Sequence, residues 1–232
     1  MLTAFERRRW TGLATPVDAV ERTPRGEVDV ALVLAVDSSG SISEQRLSMQ
    51  TQGYLDALRH PELVQTIRNG RRGRIALTYV NWTDARRQEQ IVPWRVIQEQ
   101  ADADAFVEAV RGSLRPLPGW TSISGAIDFC TGLLLSSGYI ATRRVIDISG
   151  DGANNDGRPV TEARDAAVAA GVTINGLPIV DVEPNLEQYF RDNVVGGPGA
   201  FVVVARDSRA FATAVLRKLL VEVAGTQPPA AG

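Results

Sequence analysis

The sequence predicts an α/β domain of the doubly wound kind, a three-layer α/β/α Rossmann-like sandwich around a mostly parallel sheet. Two patterns lead to this expectation. Apolar runs of strand length alternate with stretches of helical spacing from residue 27 to residue 224, the order that builds parallel strands joined by crossover helices. The first run, Val28–Val36 (VDVALVLAV), is almost continuously apolar rather than alternating, as a strand covered on both faces should be. The length of 232 residues suits one such domain with short extensions.

Taken in order, residues 1–26 carry Pro16, Pro24 and Gly26 and read as an N-terminal extension. Ser43 to about Arg68 has helical character, with a break expected near Pro61. Arg74–Val80 reads as the second strand and Gln90–Ile97 as the third. The link from Thr83 to Gln88 is too short for a crossover helix. The third strand should therefore run antiparallel to the second at a sheet edge, where Pro93 is tolerated. Asp102–Leu114 places Phe106, Val107, Val110 and Leu114 on one helical side. Ile123–Ser136 is the next helix and Arg144–Ser149 the next strand. Thr161–Ala170 follows as a helix closed by Gly171. Val172–Val180 is a strand, Asn185–Val194 a short helix and Ala200–Ala205 a last strand. Ser208 is suited to N-cap the final helix, Arg209–Ala224. The prediction is thus a six-stranded sheet with one antiparallel edge strand over residues 27–224, followed by a disordered tail, 225–232.

Composition narrows the function. A formal net charge of −2 argues against a general nucleic-acid binder. Lys218 is the single lysine among 25 basic residues. Cys130, the lone cysteine, has no partner for an internal disulfide. Arg7-Arg8-Arg9 is not followed by an apolar run, and no segment approaches membrane-spanning length. The chain as it stands reads as cytoplasmic, without membrane insertion; a leader removed beforehand would make it periplasmic or secreted. There is one histidine and no Walker loop, G-x-G-x-x-G or G-x-S-x-G, so no enzyme is expected.

The chemistry sits where doubly wound sheets bind ligands, beyond the carboxyl ends of strands. Asp37-Ser38-Ser39-Gly40-Ser41 follows the first strand, with Asp37, Ser39 and Ser41 at alternate positions on a turn. Gly119-Trp120-Thr121-Ser122 opens a helix, and Ile148-Ser149-Gly150-Asp151-Gly152 ends another strand. Brought together, Asp37, Ser39, Ser41, Thr121 and Asp151 would make an all-oxygen site. Hydroxyls and carboxylates are hard ligands, suited to Mg²⁺, Mn²⁺ or Ca²⁺ and poor for zinc or copper.

These three segments resemble the metal-ion-dependent adhesion site (MIDAS) of the von Willebrand factor A (vWA) family: DxSxS, then a Thr, then an Asp followed by Gly. The likeness covers roughly residues 27–224. The wording LAVDSSGSI, VIDISGDGANN and TINGLPI resembles a bacterial subgroup of A domains classified only as a domain of unknown function. The resemblance implies that Ser39, Ser41 and Thr121 bind metal directly while Asp37 and Asp151 act through water. It implies Mg²⁺ as the metal, with Mn²⁺ or Ca²⁺ as alternatives. It also implies that another protein supplies an Asp or Glu to the open position. The competing functions are a metal-dependent hydrolase or phosphotransfer enzyme, and a structural subunit with an idle site.

Other residues have weaker claims. Glu44 suits a helix N-terminus whether or not it reaches the site. Asp147 and Asn175 are polar residues inside apolar strands and are expected to meet in a hydrogen-bonded network behind the loops. Ala153–Gly157 either rims the site or simply turns the chain. Trp120 is either an exposed partner contact or a packed anchor. Trp82, Trp94 and Cys130 read as structural, while His60 and the Arg71-Arg72-Gly-Arg74 loop read as surface features.

Overall fold

The computed structural model describes residues 24–39, 44–111, 119–180, 183, 185–206 and 208–225. Strands β1 (Gly26–Asp37), β2 (Ile75–Trp82), β3 (Gln88–Ile97), β4 (Tyr139–Gly150) and β5 (Val172–Pro178) form one sheet in the order β3-β2-β1-β4-β5. β1 pairs in parallel with β2 and β4, and β4 with β5, while β3 runs antiparallel to β2. The edge hairpin expected from the short Thr83–Gln88 link is present.

The helices are α1 (Glu44–Arg59), α2 (Pro61–Arg68), α3 (Gln100–Arg111), α4 (Ile123–Leu135), α5 (Val160–Ala169), α6 (Leu186–Tyr189) and α7 (Ser208–Ala224). Between α1 and α2, His60 is extended and its side chain accepts from the Glu62 N–H, which caps the helix that Pro61 starts. A π-helical turn, Phe190–Val194, continues α6. Side chains alternate across a strand, so β1 divides its apolar run between two cores. Val30, Leu32, Leu34 and Val36 join Tyr54, Leu58, Phe106, Phe211 and Leu219 of α1, α3 and α7. Ala31, Val33 and Ala35 join Ile127, Cys130, Ala163 and Phe190 on the opposite side. The three layers follow from that division.

The sheet has five strands, not six. Residues 200–205 lie beside β5 in the expected parallel register, but they touch it only at isolated bridges, Gly176↔Val202 and Ile179↔Ala205. The Gly176 N–H donates to the Phe201 carbonyl and the Ala205 N–H to the Pro178 carbonyl. The bond between these two would come from residue 178, and proline has no N–H to give. One missing donor thus splits the last ladder into separate bridges. The N-terminal extension, the C-terminal tail and the capping side chain of Ser208 lie outside what is described.

Candidate metal centre

Parallel strands β1 and β4 end side by side, which puts the Asp37 turn next to the loop that follows Gly150. The Ser38 N–H donates to the Trp82 carbonyl at the end of β2 (2.9 Å), which ties the turn down. Asp37 is fully buried, and its Oδ1 accepts the Ser39 N–H at 2.8 Å. Its Oδ2 is buried and has no well-aligned hydrogen-bond partner among the described residues. That oxygen lies so close to β4 that a β-carbon at Gly150 would come within 3.1 Å of it. Burial pushes the Asp37 carboxyl up to about 7; the main-chain and side-chain donors of Ser39 oppose the rise, the negative charge of Asp151 adds to it, and the Asp151 main-chain N–H opposes it. The group is a carboxylate held short of positive charge.

Thr121 enters from a separate loop. A β-carbon on Gly119 would fall 1.8 Å from the Thr83 Oγ1, so only glycine lets this loop approach the end of β2. The Ser122 N–H then donates to the Thr83 carbonyl (2.7 Å), and the Ser122 side chain caps α4 at the Gly125 N–H. Thr121 Oγ1 stands 3.7 Å from where a Gly152 side chain would begin. Thr121 and Asp151 are both nearly buried. Asp37, Ser39, Thr121 and Asp151 therefore come to one end of the sheet. Ser41 lies outside the described residues, as does the side chain of Glu44.

The segment Ala153–Gly157 is the brace of this site rather than its rim. Asn155 exchanges two bonds with Thr121, its side chain accepting the Thr121 N–H (2.8 Å) and its N–H donating to the Thr121 carbonyl (2.9 Å). Asn154 accepts the Ser124 N–H, and Asp156 accepts the Ala85 N–H through its carboxylate and the Ser122 hydroxyl through its carbonyl. Tyr189 and Glu183, which the sequence reading had not singled out, accept the Asn154 and Ala153 N–H groups. Trp120 is 70% exposed beside Thr121, on the partner-contact side of its two readings. Trp82 and Cys130 are buried, and Trp94 packs edge-on to Tyr139. The Arg71–Arg74 loop does more than turn, since the Arg72 N–H and guanidinium hold Asp29, Glu27 and Thr142.

Residues 27–227 match the family described as protein of unknown function (DUF1194). The chain belongs to that family. No curated protein matches this DUF1194 chain in sequence. Solved structures match its fold at low identity. Proximal thread matrix protein 1 from the mussel byssus, in a structure with a zinc-occupied MIDAS motif, is 17% identical with a TM-score of 0.60, and 87% of this chain aligns with 49% of that one. A von Willebrand factor type A protein from Catenulispora acidiphila is 16% identical at 0.59, covering 86% of this chain and 43% of that one. The vWF domain of the type V pili tip protein Mfa5 from Porphyromonas gingivalis is 11% identical at 0.59, covering 89% and 99%. The DUF1194 chain thus spans about half the length of the thread matrix protein. Its fold is that of the von Willebrand factor A domain. Among the described residues, no helix is long and apolar enough to cross a membrane.

Behind the site, the DUF1194 chain carries a second buried polar group. Asp147 and Asn175 are register partners on β4 and β5, as expected of a pair. Between them stands what the sequence reading did not foresee, Lys218 and Glu222 of α7. Lys218 Nζ lies 2.6 Å from Asp147 Oδ1 and also pairs with Glu222 Oε1. Asn175 Nδ2 donates to the same Glu222 oxygen at 2.9 Å, and its Oδ1 accepts the Phe201 N–H at 3.1 Å. All four side chains are buried. The available signal was the one lysine in an arginine-rich chain.

Proposed function

We propose that this domain binds another protein through a divalent cation held by Asp37, Ser39, Ser41, Thr121 and Asp151, the partner supplying an Asp or Glu to the open position. The observation that carries the reading is the fully buried Asp37 carboxylate, which has no cation beside it among the described residues and whose second oxygen, without a well-aligned donor there, faces the end of β4. A dication there relieves the cost of an ionised, desolvated carboxylate. The donor chemistry fits: hydroxyl and carboxylate oxygens suit a hard cation, and a shell rich in neutral hydroxyls leaves the ion electron-poor toward an incoming carboxylate. Zinc in the MIDAS motif of the thread matrix protein argues that such a set does not exclude softer metals, so zinc belongs in the test beside Mg²⁺, Mn²⁺ and Ca²⁺. A pilus tip domain among the structural neighbours supports a protein as partner, and exposed Trp120 supplies apolar contact area beside the ion.

The test is calorimetric titration of chelator-treated protein with each of the four ions, repeated with Asp37→Ala and Thr121→Ala. Binding that both substitutions abolish is expected. Equal binding in all three proteins would sink the reading. Partner capture should then depend on the metal and be lost in chelator. The domain is read as a binder, not an enzyme. Turnover of phosphate esters by the pure protein, lost in Asp37→Ala, would replace this function with catalysis.

A further inference from the structure

We propose that Lys218 and Asp147 form an intramolecular amide cross-link, tying α7 covalently to the middle of β4. Four observations converge on it. The Lys218 Nζ is 2.6 Å from a carboxylate oxygen of Asp147, which brings the amine within reach of the Asp147 carbonyl carbon. Glu222 pairs with the same Nζ and is pinned by Asn175 Nδ2, so a second carboxyl stands at the reacting atoms. The four side chains are buried, with the Phe201 ring 5.6 Å from Nζ. Finally, every other basic residue of the chain is arginine. Lysine is present at the one place where a primary amine touches a buried carboxyl. A guanidinium there would be a far weaker nucleophile and too large for the gap.

The chemistry balances without a co-reactant. The reacting form pairs the free amine of Lys218 with the protonated carboxyl of Asp147, one proton having passed from nitrogen to oxygen. Burial holds the Glu222 carboxyl well above its usual range, with the charge of Asp147 adding and Lys218 opposing, so it is available to carry protons. The neutral amine attacks Asp147 Cγ and forms the N–C bond. Glu222 shuttles the proton from nitrogen to the departing hydroxyl. The C–O bond breaks, and water leaves. A polar cavity of about 100 Å³ lined by Asn175, Phe201, Glu222 and Arg143 adjoins the cluster and gives that water a way out. The product is a neutral amide in place of two buried charges, and removing buried charges favours it.

Mass spectrometry of the denatured full chain decides the matter. The wild type should be one water lighter than its sequence mass, and Lys218→Arg should show the full sequence mass. Glu222→Gln should be mostly unlinked, because the proton carrier is gone. Trypsin should yield a branched species joining the peptide that starts at Val145 to the one containing Lys218, with no cleavage after that lysine. A wild type at full sequence mass overturns the proposal, and this measurement does not require the variants to fold. Water loss mapped to a lactam between Lys218 and Glu222, or to a succinimide at Asp151-Gly152, also overturns it.

Discussion

Two buried carboxylates lie on the same sheet and are treated in opposite ways. Asp147, mid-strand in β4, is met by Lys218 of α7 at 2.6 Å, although neither of its oxygens has a well-aligned hydrogen bond among the described residues. Asp37, at the end of β1, has no ion pair among the described residues and one oxygen without a donor. Burying a carboxylate demands a positive charge or several donors. The chain supplies that charge itself in the middle of the sheet. At the sheet end no described residue supplies it. The contrast separates a carboxylate whose cation comes from the chain itself from one that, on the proposed function, takes it from outside.

The sharpest way to break this comparison is to remove the lysine that meets Asp147. Lys218→Met should cost about 3–5 kcal/mol in denaturant unfolding, because it leaves Asp147 buried without its partner, whether that partner is held as an ion or through the proposed amide. A loss below about 1 kcal/mol would mean that Asp147 and Glu222 are neutral without it. Next comes the imported cation. Saturating metal at roughly 100 times its Kd should add about 2.7 kcal/mol to wild-type stability and nothing to Asp37→Ala. Thermal melts in metal and in chelator measure both.

Asp37 should also leave a pH signature in chelator. Its folded pKa of about 7 lies well above the ordinary aspartate value of about 3.9, so between the two the native state holds a proton that the unfolded chain has released. Stability from this group is complete below about pH 4 and is lost as pH rises to about 7, by on the order of a few kcal/mol. Midpoints taken at roughly pH 5 and roughly pH 8 should differ less in Asp37→Asn than in the wild type. An equal difference would show that Asp37 is not the group responsible. The smallest effect belongs to the rim. Trp120→Ala should change stability by less than about 0.5 kcal/mol, as surface substitutions do, while weakening partner capture. Unfolding curves beside a binding assay separate the two.

Much of this was legible in the sequence because the period of an apolar run reports what covers it. The unbroken run Val28–Val36 announced a strand between two layers, and the short Thr83–Gln88 link announced the antiparallel edge. The DxSxS turn, Thr121 and Asp151 could be read because each sits at a strand end or helix start whose place in a doubly wound sheet is fixed. Lys218 could not be paired with Asp147 in the same way. The two are far apart in sequence, and a lysine on a long final helix looks like a solvated one until packing turns it inward. The missing sixth strand has the same lesson at smaller scale. The apolar pattern of residues 200–205 predicts a strand, but whether a ladder forms depends on the neighbour's Pro178, and only isolated bridges do.

That proline has a counterpart on the far side of the molecule. β3, the other outermost strand, carries Pro93, and its register against β2 slips where Val92 and Arg95 face Tyr79 and Leu77. Each border of the sheet is therefore interrupted by a residue that cannot donate, and neither offers an unbroken row of amides for a foreign strand to zip onto. A domain that captures other proteins at one end, as proposed for this one, gains from flanks that refuse to recruit copies of itself. Crowded together, such domains should stay separate instead of growing into fibres.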